Sequence, residues 1–115
     1  MRIKTSELKE RALDWAVWMA MGEIVEPSLD GGYDGVGNYY EPWSPSTKWG
    51  QGGPIIDRED ITVGPWDTSP AMAHMPGPVN SRNPRMVGPT KLIAARRCFV
   101  VSRLGDEVDV PEELM

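Results

Sequence analysis

Apolar side chains near the start of the chain recur at helical spacing and predict an amphipathic helix over about residues 6–21. The residues that share this stripe are Leu8, Ala12, Trp15, Ala16 and Met19. Thr5 is placed to cap the helix, because a threonine hydroxyl can accept a bond from a free backbone N–H of the first turn. Gly22 follows the last periodic residue and predicts the end of the helix there.

A second apolar stripe predicts a helix over about residues 91–104. One face of this helix carries Leu92, Ala95, Phe99 and Ser102. Thr90 is placed to cap it, and Gly105 ends it. The acidic tail, residues 106–115, follows, and within it Glu107–Val110 alternates polar and apolar residues as an edge strand does.

The middle of the chain, residues 22–89, holds 11 of the 12 glycines and 10 of the 11 prolines. This composition predicts a loop-rich middle with short strands. Strands are expected at Arg2–Lys4, Pro54–Asp57 and Asp60–Val63. The sequence therefore predicts one α+β domain over residues 1–115, with two helices packed on a small, mostly antiparallel sheet and long Gly/Pro-rich loops.

The charge of the chain is negative overall but unevenly distributed. A net charge of −5 argues against general nucleic-acid binding, and no apolar run reaches the length that spans a membrane. Residues 68–105 nevertheless carry no carboxylate and six cations: Arg82, Arg85, Lys91, Arg96, Arg97 and Arg103. These cations either pair internally with the carboxylates of residues 57–60 and the acidic tail, or form an anion-binding face.

Candidate catalytic groups are few. His74, which we expect in a loop, has no second histidine beside it to complete a metal triad, and Cys98 falls inside the second helix, where we expect it in the core. Asp57 and Glu59 would share one face of a strand, where they could hold Mg²⁺ or act as acid and base. The alternative is that they are ordinary turn acids flanking Arg58. We therefore expect no catalytic residue, no cofactor and no metal site.

Aromatic residues in the Gly/Pro-rich connections give a second indication of function. They are Tyr39, Tyr40, Trp43, Trp49 and Trp66. Such rings either anchor loops on the core or form a stacking platform for a base or a partner. The glycines that follow Trp49 could let backbone N–H groups approach an anion closely.

Three blocks of the sequence resemble the NinX-like proteins of tailed phages and prophages, a family of unknown function. The blocks are Ile3–Leu8 with Ala12–Val17, Ser46–Glu59, and Leu92–Cys98 with Leu104–Val108. The resemblance implies a phage accessory protein that acts in the cytoplasm of the bacterial host. No catalytic residue carries over from it.

The leading hypothesis is a non-enzymatic protein that sequesters a small anionic ligand, with a nucleotide signal of host defence as the first candidate. The residues expected at the ligand are Trp49, Gln51, Gly52, Gly53 and Arg58, supported by Arg96 and Arg97. One alternative is a protein-interaction module that binds a host protein through exposed tryptophan and methionine loops. Another is a metal-dependent nucleotide-processing enzyme that uses Asp57 and Glu59. The sequence leaves homo-oligomerisation open.

Overall fold

The computed structural model describes residues 1–22, 32–33, 39–40, 43–66 and 69–114. This part of the chain contains three α-helices: α1 (Glu10–Ala20), α2 (Trp49–Glu59) and α3 (Lys91–Leu104). Its strands are β1 (Arg2–Lys4), β2 (Gly32–Tyr33), β3 (Tyr39–Tyr40), β4 (Thr62–Trp66), β5 (Ser69–His74), β6 (Met86–Gly88) and β7 (Glu107–Asp109). Short 3₁₀ turns occur at Thr5–Glu7 and Glu112–Leu114. The fold is α+β, as predicted, but it has three helices where the sequence pattern indicated two.

The largest sheet of the described residues is the antiparallel meander β4–β5–β6. The expected strand at Asp60–Val63 begins later, because Asp60 ends α2 and strand pairing starts at Thr62. His74 is the last residue of β5, so the expectation that it lies in a loop is wrong. The side chains of Tyr39, Tyr40 and Trp66 lie outside the described residues.

Helix α3 forms the centre of the core and has the predicted bounds. The Thr90 hydroxyl accepts a hydrogen bond from the Ile93 backbone N–H at 3.1 Å, as expected of an N-cap. Phe99 and Val100 are fully buried, and so is Cys98, which confirms its predicted core position. The helix packs on β5, β6 and α1.

The first helix starts later than predicted. Thr5 does not cap it, because its hydroxyl donates to the Gly105 carbonyl at 2.5 Å and its backbone N–H donates to the Asp106 backbone carbonyl at 2.7 Å. These bonds hold residues 5–7 in a 3₁₀ turn against the chain that follows α3. The backbone at Leu8 is then extended, and the α-helix begins only at Glu10.

Strands β1 and β7 form an antiparallel two-stranded ribbon, and both were expected from the sequence. Ile3 faces Val108 in the register, and these two side chains pack against the core. Arg2, Lys4, Glu107 and Asp109 are exposed. The ribbon therefore joins the two ends of the described chain.

Helix α2 replaces the expected glycine loop and the expected strand at Pro54–Asp57. Three glycines and a proline give this segment a low intrinsic helix propensity. Packing compensates, because Ile55 is buried and Gly52 lies against α3. Asp60 ends the helix in the left-handed conformation at φ 56°, and the Ile61 backbone N–H bonds the Ile56 carbonyl at 3.0 Å.

No helix in the described residues has both the length and the apolar content that a membrane span requires.

Candidate functional site

Trp49 is the first residue of α2 and the most exposed of the described tryptophans. Its side chain is 55% exposed and forms one wall of a shallow cleft of about 230 Å³. The other lining residues come from the segment before α2 and from the start of α3: Ser46, Thr47, Thr90, Lys91, Leu92 and Ile93. We call this the Trp49 cleft. Lys91 is the only charged residue that lines it in the described part of the chain.

The residues that follow Trp49 divide between the cleft and the interior. A Cβ at Gly53 would lie 3.8 Å from the Trp49 ring, so Gly53 is next to the indole. The Gln51 side-chain oxygen accepts a hydrogen bond from the Ser44 backbone N–H at 2.6 Å. Gly52 is buried, and its missing side chain lets α2 approach α3 closely. Of the expected glycine-loop residues, only Trp49 thus lines the cleft.

Arg96 is a structural residue and not a surface cation. Its side chain is 0% exposed, and Nη1 donates to the Gly52 carbonyl at 2.7 Å. Burial lowers the pKa of the guanidinium to about 10, against the opposing effect of the nearby Asp14 charge. Arg96 therefore holds α2 on α3 from inside, while Trp49 lies on the outside of α2.

Asp14 provides the negative charge near this buried guanidinium. Burial raises the pKa of its carboxyl, and the hydrogen bond from the Ser46 backbone N–H together with the charge of Arg96 lowers it in part. Asp14 Oδ1 accepts the Ser46 backbone N–H at 2.9 Å, and the Asp14 carbonyl accepts Trp43 Nε1 at 2.8 Å. The Trp43 ring also meets Trp18 edge-on, with 5.0 Å between ring centroids. Trp43 thus anchors on α1 the segment that leads into α2.

Arg97 bridges two other elements. Its Nε donates to the Leu8 carbonyl at 2.8 Å, and its Nη1 donates to the Val87 carbonyl at 2.9 Å. Burial lowers the pKa of this guanidinium as well. Arg97 therefore fastens the turn before α1 and the strand β6 to α3, and it does not line the Trp49 cleft.

Arg58 lies at the opposite end of α2 from Trp49. They are nine positions apart, which is a rise of about 13 Å along a helix. Arg58 Nε donates to Glu59 Oε2 at 3.2 Å, and Arg103 donates to the other oxygen of the same carboxylate. The expected cluster of Trp49, Arg58, Arg96 and Arg97 is therefore not brought together in one cleft.

The acidic pair also differs from expectation. Asp57 and Glu59 lie on a helix, where residues two apart point to nearly opposite sides. The expectation that they share a strand face is wrong. In the described residues, no group of three or more His, Cys, Asp or Glu side chains is arranged to hold a metal ion.

At least three of the six cations of residues 68–105 contact other groups of the same chain. Arg96 and Arg97 bind backbone carbonyls, whereas Arg103 pairs with Glu59 and lies over the Phe99 ring at 5.2 Å from its centroid. The expected pairing with carboxylates is thus found for Arg103, whereas Arg96 and Arg97 bind backbone carbonyls instead. Lys91 remains at the surface, in the Trp49 cleft.

Glu59 gives a pH-dependent prediction. Burial alone would raise the pKa of its carboxyl, but hydrogen bonds from Arg103 and Arg58 outweigh it, and the pKa lies below the usual 4.5. A lowered native pKa stabilises the fold above pH 4.5, and this stabilisation is lost as the pH falls through the native pKa. We expect wild type to lose about 0.5–1 kcal/mol more than Glu59→Gln on acidification, a small effect because both arginines are half exposed.

Urea unfolding of both proteins at several pH values from neutral to acid checks this prediction. The prediction would be contradicted if the free energy of unfolding fell equally with pH in wild type and Glu59→Gln.

Sequence reasoning missed Lys91 and Thr90 as cleft residues. They meet Trp49 only because α2 and α3 begin side by side, and residues about 40 positions apart give no local sign of such contact. Gly52, inside an otherwise amphipathic segment, was the available signal, since a glycine there often marks a close approach of two backbones.

Comparison with known proteins gives one family. The family model described as "Bacteriophage P22, NinX" matches residues 4–103, a range that includes α1, α2 and most of α3. A search of curated proteins finds no match.

Proposed function

We propose that this chain, which belongs to the NinX family of bacteriophage proteins, is a non-enzymatic accessory protein that binds a nucleotide at the Trp49 cleft. Membership of the family makes it a phage accessory protein. The observation that carries the ligand proposal is an indole more than half exposed at the wall of a cleft whose charged lining residue, among those described, is a lysine.

The indole supports recognition of an aromatic ligand. Trp49 is the first residue of α2, so its ring is carried by a helix and not by a free loop. A base stacked on such a ring contributes about 1–3 kcal/mol. Neighbouring Thr47 and Thr90 offer hydroxyl groups at the same cleft.

Charge favours an anion at this place, although the whole chain carries −5. Lys91 lines the cleft, and none of the other lining residues in the described chain is acidic. An ammonium group attracts phosphate oxygens as a point charge. A nucleotide supplies both the ring and the phosphate that this combination fits.

The size of the cleft limits how the ligand is held. Its volume of about 230 Å³ is below the range of about 300–1,000 Å³ that is typical of sites enclosing a whole ligand. The cleft therefore takes one base or one phosphate, and the rest of the ligand lies at the surface. The biological role proposed for such binding is sequestration of a nucleotide signal of host defence in the host cytoplasm.

Calorimetry with a panel of linear and cyclic nucleotides tests the proposal. We expect at least one member to bind, Trp49→Ala to weaken binding by about tenfold or more, and Lys91→Gln to weaken it less. Arg58→Gln is the matched control and keeps the wild-type affinity, because Arg58 lies at the far end of the same helix. The bound nucleotide is recovered intact after incubation with Mg²⁺.

Three outcomes count against the proposal. If no nucleotide binds, or if Trp49→Ala binds as wild type does, the Trp49 cleft is not a nucleotide site. If the nucleotide is converted to a product, the protein is an enzyme.

A host protein is the second candidate ligand, and the shallowness of the cleft favours it. Exposed tryptophans are frequent anchors of protein interfaces, and a partner could cover the indole without needing an enclosed pocket. In that case no nucleotide of the panel binds. A pull-down from host lysate then retains a host protein stoichiometrically on wild type but not on Trp49→Ala. Retention of the same protein by both would argue against this candidate.

A further inference from the structure

Strand β1 has one free edge in the described chain. It pairs with β7 alone there, in the register Arg2 with Asp109, Ile3 with Val108 and Lys4 with Glu107. Backbone bonds from Val110 to Met1 at 2.8 Å and from Thr5 to Asp106 at 2.7 Å fix which pairs share hydrogen bonds. In an antiparallel ladder, hydrogen-bonded and non-bonded pairs alternate. The backbone N–H and C=O groups of Arg2 and Lys4 therefore point away from β7.

A groove of about 610 Å³ lies beside this strand. All three β1 residues line it, and its apolar wall is made by Leu8, Ala12 and Leu114. Charged side chains of both signs line the rest: Glu7, Lys9, Glu10 and Glu107. A strand added at the free edge would have a place for one apolar side chain, and its polar side chains would remain near the charged residues.

Strand β7 shows what kind of strand β1 accepts. Its sequence is acidic, apolar, acidic, and its two carboxylate residues stand opposite Lys4 and Arg2. Arg2 Nε reaches Glu107 Oε2 at 3.2 Å. Opposite charges across neighbouring strands stabilise the pairing, and like charges oppose it. A strand on the other edge of β1 meets the same two cations.

We propose that the free edge of β1 accepts an extended segment of a partner protein in which acidic residues alternate with apolar ones. Main-chain hydrogen bonds to Arg2 and Lys4 supply the attraction, and the groove beside β1 selects the apolar residue. A second copy of this chain fits less well at this edge, because antiparallel pairing of two β1 strands sets Arg2 opposite Lys4.

Lys4 offers a variant that closes the edge without disturbing the ribbon. Its φ is −61°, the value that proline requires, and its N–H is not needed for the bonds to β7. Lys4→Pro removes the outward donor together with the charge, whereas Lys4→Gln removes the charge alone. The two variants therefore separate main-chain pairing from electrostatic attraction.

The test titrates a synthetic peptide of alternating glutamate and valine into the ¹⁵N-labelled full chain. We expect the Arg2 and Lys4 amide signals to shift, and Lys4→Pro to bind about tenfold or more weakly than Lys4→Gln at an unchanged free energy of unfolding. A peptide N-methylated at alternate residues, so that one of its edges cannot donate, serves as the second control and binds more weakly.

Equal affinities of the two variants, or equal affinities of the plain and methylated peptides, would overturn the proposal. Absence of binding at millimolar peptide would do the same. Sedimentation equilibrium of the chain alone tests whether a second copy of this chain occupies the edge. Self-association that Lys4→Pro abolishes would assign the edge to that second copy and overturn the proposal. Shifts confined to the β7 amides would mean that the peptide displaces β7, which also contradicts the proposal.

Discussion

Replacing Arg96 with methionine is expected to lower the free energy of unfolding by about 3 kcal/mol. The substitution removes the donor of the 2.7 Å bond to the Gly52 carbonyl and leaves the buried Asp14 carboxylate without its positive neighbour. Breaking one member of a buried charged pair costs about 3–5 kcal/mol. We expect the lower end, because Nε and Nη2 of Arg96 have no acceptor among the described residues and their desolvation is relieved by the change.

The double variant Arg96→Met/Asp14→Asn is the control for this prediction. If the loss arises from an uncompensated carboxylate, neutralising Asp14 recovers part of it, and the two changes are not additive. Urea unfolding at neutral pH measures all four proteins of the cycle. A loss below about 1 kcal/mol in the single variant would place Arg96 outside the core.

The stability loss of the single variant Arg96→Met has a defined pH dependence. The native pKa of Asp14 is already raised by burial, and removal of Arg96 raises it further. A group whose native pKa is raised stabilises the fold as it becomes protonated. The difference between wild type and Arg96→Met therefore shrinks as the pH falls from neutral towards the unfolded-state value of 3.8.

Gly52→Ala is expected to lower the free energy of unfolding by about 2–3 kcal/mol. The added methyl group would overlap the Pro45 carbonyl oxygen and come within 2.8 Å of the Leu92 side chain. A backbone carbonyl cannot rotate away, so α2 must shift from the segment that carries Pro45, and the Leu92 side chain on α3 must also move. That shift also strains the bond between Arg96 and the Gly52 carbonyl.

Gly50→Ala provides the matched control on the same helix. A Cβ at Gly50 meets nothing within 4 Å, so the only effect is the better helix propensity of alanine. We expect Gly50→Ala to raise the free energy of unfolding by about 0.5–1 kcal/mol. Opposite signs for two Gly→Ala changes two residues apart are specific to a packed helix. Small effects of equal sign would indicate the glycine loop that the sequence pattern favoured.

Where the sequence predicted structure correctly, the signals were local. Thr90 and Gly105 mark the bounds of α3, and the apolar periodicity between them reflects its buried face. The alternation in Glu107–Val110 likewise predicted β7, which ends one residue earlier, at Asp109. Such cap and period signals arise within a few residues of one another, so the chain order alone contains them.

The glycine-rich segment shows why other predictions failed. Its composition disfavours a helix, and α2 forms only because Gly52 and Ile55 find a surface on the rest of the fold. The contact between α2 and α3 also buries Arg96. A count of cations along the sequence treats every arginine as free to bind a ligand, and so it missed this burial. Local propensity does not contain this information, because tertiary packing decides both the helix and the burial.

The prediction of where the first helix starts was wrong for a related reason. Thr5 has the side chain of an N-cap, but Gly105, 100 residues away, accepts its hydroxyl. No local pattern distinguishes these two uses of a threonine.

Nuclear magnetic resonance of the labelled chain tests most directly whether Gly52 packs α2 against α3 and leaves the Trp49 indole at the surface. The fold predicts helical ¹³C shifts over residues 49–59 and a nuclear Overhauser contact between the Gly52 α protons and a Leu92 methyl group, with the Trp49 ring accessible to a soluble paramagnetic probe. Extended or random-coil shifts through residues 50–53, without that contact, would contradict the assignment of Arg96 to the interior and of Trp49 to the binding surface.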